Sequence, residues 1–142
     1  MASLYGRTET GKSEVINLLA GVKKAGFSGK CLVRNRDLLN GERLPSNEVG
    51  MCLEDENMEE SFSLFYHLCF IGQLKGLSRK EMLRQIFYLG KLFDMEEHLF
   101  KDIKDLSGGN KRKASLSAAL LGAPSLLIVD EPTRNLDPAV AR

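Results

Sequence analysis

The octapeptide Gly6-Arg7-Thr8-Glu9-Thr10-Gly11-Lys12-Ser13 carries the residue types that grip a polyphosphate. It fits the pattern G-x-x-x-x-G-K-[ST] and stands between a short strand candidate and a helical pattern, the context this motif requires. Such a loop curls so that backbone N–H groups and the following helix N-terminus face phosphate oxygens. Lys12 would reach the β- and γ-phosphates, and the Ser13 hydroxyl would ligate Mg²⁺. An eight-residue pattern also arises by chance, so it gains weight only from its companions.

A second group is Leu126-Leu127-Ile128-Val129-Asp130-Glu131. An apolar strand ending in two acids brings carboxylates to the C-terminal edge of a sheet, where open α/β folds bind ligands. Asp130 would hold Mg²⁺ through water, and Glu131 would polarise an attacking water as general base. The plainer reading is a buried strand followed by an acidic cap. A third group is Leu106-Ser107-Gly108-Gly109-Asn110-Lys111-Arg112-Lys113. Paired glycines before a helix let backbone amides approach an anion, and Ser107 adds a hydroxyl donor. The plainer readings are an ordinary Gly-Gly turn and, for residues 111–113, a solvated basic face or a weak localisation signal.

Several elements must position these groups. Residues 3–5 read as a strand and residues 13–20 as a helix with Val15, Ile16, Leu18 and Leu19 on one face, stopped by Gly21. Residues 30–34 and 48–52 are strand candidates, with turns at Asn40-Gly41 and Pro45-Ser46-Asn47. Residues 54–60 are acidic and expected to be exposed. From residue 61 to 100 the pattern is helical, with Phe62, Phe65, Tyr66 and Cys69 at three- and four-residue spacings and Gly72, Gly76 and Gly90 as punctuation. Ser78 with Glu81 predicts a capping box for a helix over 79–88. A helix rich in Ala and Leu follows the Gly-Gly pair until Pro124-Ser125. The run 126–129 has the continuous apolar character of a buried parallel strand. This order predicts an α/β fold: a parallel sheet with an inserted helical subdomain.

Bulk properties bound the function without choosing it. The 142 residues suit one domain with a real core. With 20 basic and 19 acidic residues the net charge is +1, which predicts no nucleic-acid partner. The longest apolar stretches, 64–71 and 118–121, fall far short of the ~20 residues of a membrane helix. The N-terminal residues lack the pattern of a signal peptide. Cys31, Cys52 and Cys69 lack metal-ligand spacing and read as reduced thiols of a cytosolic protein.

Taken together and in this order, the three motifs resemble the ATP-binding cassette family: phosphate loop, LSGG signature, then apolar strand with Asp-Glu. Glu131-Pro132-Thr133 continues that family's D-E-P-T stretch, and Asn135-Leu136-Asp137 resembles its D-loop. The run from Ser107 to Lys113, with His67-Leu68, Leu74-Lys75-Gly76 and Asp137-Pro138, resembles subfamily A, the lipid-exporting transporters.

The resemblance implies a P-loop NTPase parallel sheet with an inserted helical signature subdomain, the sheet incomplete at both ends. It divides the chain into a phosphate-loop core part (1–53), a Q-loop region with helical subdomain (54–105), and a part with signature, Walker B strand and D-loop (106–142). The implied cofactors are ATP and Mg²⁺. The implied partners are a second nucleotide-binding domain, in a head-to-tail ATP sandwich, and transmembrane domains at the cytoplasmic face of a membrane. Gly6, Arg7, Thr8, Glu9, Thr10, Gly11, Lys12 and Ser13 would serve one ATP with Asp130 and Glu131. Ser107, Gly108 and Gly109 would clamp the ATP bound by the partner.

Departures from the family are specific. Glu9 stands where the family has Gly, and a carboxylate there faces like-charged phosphates. Glu54 stands where Gln is expected; it could ligate the cation, but its charge alters the balance. Arg134 and Asn135 replace small D-loop residues. The adenine-stacking aromatic and the switch histidine are expected outside these 142 residues, so the chain reads as a fragment. His67 and His98 lie too early to serve and are expected to be surface or subdomain residues.

Three rival readings remain: a catalytically silent cassette acting as a structural or ATP-binding half-site, a soluble non-transporter cassette ATPase, and an unrelated P-loop GTPase. The LSGG stretch and the lack of an Asn-Lys-x-Asp motif argue against the last.

Overall fold

The computed structural model describes residues 11–20, 28–40, 42–53 and 58–130, without the side chains of Lys12 and Ser13. The strand expected over residues 3–5, the stop at Gly21 and the turn residue Gly41 lie outside the described residues. The chain divides into two compact units, Met1–Pro45 and Ser46–Arg142.

In the first unit, helix α1 (Lys12–Leu19) follows Gly11, whose φ of 87° is left-handed. Glycine reaches that region without the steric penalty a Cβ imposes. Leu18 is buried, and α1 packs on the 3₁₀ turn Leu38–Asn40, where Leu38 is buried too. The strand expected over 30–34 is shorter than its pattern. It is a hairpin of β1 (Leu32–Val33) and β2 (Arg36–Asp37), antiparallel, with Leu32 opposite Asp37. Arg34 and Asn35 both have positive φ, 49° and 62°. Positive φ at both central residues marks the type I′ turn, whose twist matches that of the flanking strands. The Asp37 carboxylate then accepts from the main chain of Cys31 and Leu39 and from the Asn40 amide, fixing the turn after the hairpin.

The second unit joins a parallel strand pair to a helical body. Strands β3 (Val49–Cys52) and β4 (Leu126–Val129) run parallel, with Val49 opposite Leu126 and Cys52 opposite Val129. Between them come helices α2 (Leu64–Leu74), α3 (Arg79–Leu92) and α4 (Gly108–Leu120). Each of these helices starts at a serine whose hydroxyl accepts from the amide three residues on: Ser63 from Tyr66, Ser78 from Glu81 and Ser107 from Asn110. Such a cap satisfies an orphan amide and is worth about 1 kcal/mol. The expected capping box at Ser78 is half made. The Glu81 side chain turns instead to Arg84 and Gln85.

The core of this body is aliphatic: Leu64 and Leu68 from α2, Ile86 from α3, Leu99 and Ile103 from the segment after α3, and Leu121 after α4. The buried stripe of α2 therefore differs from the expected one. Phe62 precedes the helix and Tyr66 is 56% exposed, because the 64–68–72 row faces the core. His67 is buried in this body, and burial lowers its pKa below the ordinary 6.5. Gly72 and Gly90 do not end helices. Both lie inside them, where a Cβ would press on Met82 and on Leu99 respectively. Gly76, with φ 74°, does stand just past the end of α2. α4 ends at Leu120, ahead of Pro124.

α4 lies across β3. Gly50 makes this close approach possible, since a Cβ there would collide with the Ala119 carbonyl oxygen and stand 2.9 Å from Pro124 Cγ. The expectation for 126–129 holds for direction and not for burial. Ile128 is 7% exposed, but Leu127 is 41% exposed, and among the described residues β3 is the one strand partner of β4.

Candidate functional site

The approach to Ser107 is stitched down before α4 begins. Residues 99–104 run back along residues 60–65, with hydrogen bonds from Phe65 N to Leu99 O (2.7 Å), Leu64 N to Lys101 O (3.1 Å) and Ile103 N to Phe62 O (2.9 Å). Leu106 is then buried as an anchor. Directly after it the chain emerges, and Ser107 and Gly108 are exposed. Ser107 Oγ accepts from Asn110 N at 3.3 Å, which leaves its own proton free to donate outward. The first turn of a 13-residue helix thus presents its amides beside a serine hydroxyl, with no acidic residue in that turn. Such an end favours an anion through both its donors and the helix dipole.

The basic run behind this end is not a solvated face. Lys111 pairs with Glu60 at 2.8 Å, and that hydrogen bond and charge hold the Glu60 carboxyl below its usual range. Asn110 Nδ2 lies 3.2 Å from His98 Nε2. Arg112 is 1% exposed and turns inward. Its Nη1 donates to Leu53 O at 2.6 Å and its Nη2 donates to Asp130 O. These carbonyls belong to the residues directly after β3 and β4. Asp130 N donates in turn to Cys52 O at 2.8 Å. The main chain of Asp130 is therefore fixed on both sides at the C-terminal end of the sheet. Leu53 O and Asp130 O are thereby held at the same sheet end.

At its other end α4 is closed. Lys75 Nζ donates to Leu121 O at 2.7 Å and to Ala119 O at 3.3 Å, capping carbonyls that the helix leaves open. Burial lowers the pKa of this ammonium. Gln85 accepts from Gly122 N at 2.7 Å.

Of the residues expected to act, Ser107, Gly108, Gly109 and Asp130 are described in the second unit, and Gly11 in the first. Lys12 and Ser13 are placed by their backbone in the first turn of α1. Gly6, Arg7, Thr8, Glu9, Thr10, Glu54 and Glu131 lie outside the described residues, as do the D-E-P-T continuation and the D-loop. Gly11, immediately before α1, is left-handed, and no atom of the described residues lies within 4 Å of where its Cβ would stand. Cys31, Cys52 and Cys69 are free cysteines, with Cys52 buried. Among the described residues no helix is long and apolar enough to cross a membrane. Arg112 is the residue that motif reading passes over, since a Lys-Arg-Lys triplet gives no sign of which member turns inward.

Comparison with known proteins agrees with this geometry. The family model described as ABC transporter matches residues 1–134. An ABC transporter A family member 11 from Dictyostelium discoideum is 33% identical over 95% of this chain, which spans 16% of that protein. A cholesterol transporter ABCA5 from Rattus norvegicus is 32% identical over 95% of this chain and 8% of its own length. A Nod factor export ATP-binding protein I from Rhizobium is 30% identical over 95% of this chain and 44% of its own. This chain thus spans less than half of these curated relatives. A solved structure of an ATP-binding subunit of an ABC transporter superposes with a TM-score of 0.76 at 28% identity, covering 92% of this chain and 54% of that one.

Proposed function

The chain belongs to the ABC transporter family, and from that premise we propose that it binds and hydrolyses ATP in a head-to-tail pair of cassettes that powers lipid export. The observation that carries this reading is the pairing within one unit of an exposed, serine-capped signature end with an Asp130 locked at the sheet's C-terminal edge. The lipid class is supported by the A-family relatives, which include a cholesterol transporter and a phospholipid-transporting ATPase.

In this reading Gly6, Arg7, Thr8, Glu9, Thr10 and Gly11 wrap the phosphates of the chain's own ATP, and Lys12 neutralises them. Ser13, Asp130 and Glu54 would hold the cation; Mg²⁺ when bound supplies neutralisation of charge on the phosphoryl oxygens. Glu131 takes a proton from the attacking water. Ser107, Gly108 and Gly109 donate to the γ-phosphate held by the partner cassette. Closure of the pair passes to transmembrane domains, so the chain works at the cytoplasmic face of a membrane.

Titration of fluorescent ATP with Mg²⁺ against the chain and its Lys12→Ala variant tests the site. Saturable binding that the substitution weakens at least about tenfold, or 1.4 kcal/mol, is expected. Absent binding, or binding indifferent to Lys12, would falsify the proposal. A second reading, a cassette that binds and does not turn over, draws support from Glu9 in the phosphate loop. Phosphate release with the partner cassette present separates the two: turnover lost in Glu131→Gln supports the first, and no turnover in the wild type supports the second.

A further inference from the structure

Arg112 is a buried guanidinium that turns inward from the signature run. Desolvating such a cation is costly, and an aliphatic side chain would fill the same space more cheaply. Its planar fork, however, donates to two carbonyls from two separate nitrogens in one fixed plane, a geometry an ammonium does not impose. The two carbonyls are Leu53 O and Asp130 O, at the C-terminal ends of adjacent parallel strands. They immediately precede Glu54 and Glu131 in sequence. The same residue lies one and a half turns into α4 from Ser107, on a helix whose start is open to a visitor. Arg112 therefore joins the helix that would touch the partner's ATP to the strand ends that would serve this chain's own.

We infer that Arg112 is a positioning residue that couples signature engagement to the placement of the acidic strand ends, so that each cassette's carboxylates are set when its signature is occupied. The inference rests on the sandwich reading above and adds the path between its two half-sites. Docking on the amides of Gly108 and Gly109 shifts the open end of α4 against its fixed far end, and the fork transmits that shift to Leu53 and Asp130. The ladder bond from Asp130 N to Cys52 O makes the two strand ends move together.

The test uses the complete protein with its partner cassette, carrying Arg112→Gln or Arg112→Lys. Arg112→Gln is expected to lower kcat for ATP hydrolysis at least about tenfold while KM for ATP stays within about threefold, the split of a residue that acts after nucleotide binding. Arg112→Lys keeps the charge but loses the fork, and should recover part of the loss. It also carries the test if Arg112→Gln fails to fold.

Hydrogen exchange gives a readout that turnover does not enter. A non-hydrolysable ATP analogue should protect residues 51–53 and 129–130 in the wild type far more than in Arg112→Gln. Variants that retain wild-type kcat per folded molecule, or protection unchanged by Arg112→Gln, would each overturn the inference. Failure of the sandwich reading is seen separately, as a wild type that does not bind ATP or does so indifferently to Lys12→Ala.

Discussion

At its C-terminal end α4 is held by Lys75 on two carbonyls, by Gln85 on the amide of Gly122 and by Gly50 pressed beneath Ala119. At its N-terminal end a single serine caps the helix, and Ser107 and Gly108 stand in solvent. One helix thus has a permanent end and a receptive end. The difference lies in who satisfies the orphan groups: other elements of the same unit at one end, and at the other mostly whatever docks there. Residues that fix the closed end should govern stability, and residues of the open end should govern activity with little effect on folding.

The strongest attack on the closed end is Gly50→Val. The new side chain meets a main-chain oxygen that cannot yield, so α4 must leave β3, at a cost of about 3 kcal/mol or more. Urea unfolding should show this; a midpoint near that of the wild type would mean the helix is not seated as described. Lys75→Met comes next. It keeps the aliphatic stem and removes two charge-assisted bonds, for about 2 kcal/mol by the same measurement.

His67 offers a pH-dependent probe of the body that holds the closed end. Burial lowers its folded pKa, so below the ordinary 6.5 the unfolded chain binds more protons than the native one. Its contribution is intact above that pH and is lost as the pH falls. His67→Leu should flatten the fall in thermal midpoint between about pH 7.5 and about pH 5.5; an unchanged slope would assign the acid sensitivity elsewhere. The smallest stability effect belongs to the open end. Ser107→Gly should cost only a few tenths of a kcal/mol, since glycine is tolerated at an N-cap. ATP turnover with the partner should nevertheless fall well beyond what that loss explains. If stability and turnover fell together, the contrast between the ends would disappear.

Much of this was legible in the residue string because it depends on local chemistry. Ser78 announced a helix start, Gly76 marked an end, and the apolar run before Asp130 read as a parallel strand. Features set by distant neighbours were not legible. Gly72 and Gly90 look like helix breakers, yet they serve close packing against Met82 and Leu99. Arg34-Asn35 is not the Asn-Gly or Asp-Gly pair that signals a type I′ turn, so the hairpin read as one strand. The aromatic spacing of Phe62, Phe65 and Tyr66 drew attention from the aliphatic row that is buried. Arg112 looks like its lysine neighbours until the carbonyls it meets are seen, and those lie 59 and 18 residues away.

The pairing of β3 with β4 also shapes how the chain is made. The contact between Glu48 and Ser125, just ahead of the two strands, spans 77 residues. At ribosomal speeds of about 5–20 residues per second, β3 is complete roughly 4–15 seconds before its mate is synthesised. In that interval α2 and α3 can form from local contacts, but the main-chain edge of β3 has no β4 to bind. The close seat that Gly50 gives α4 across β3 is likewise completed only after that wait.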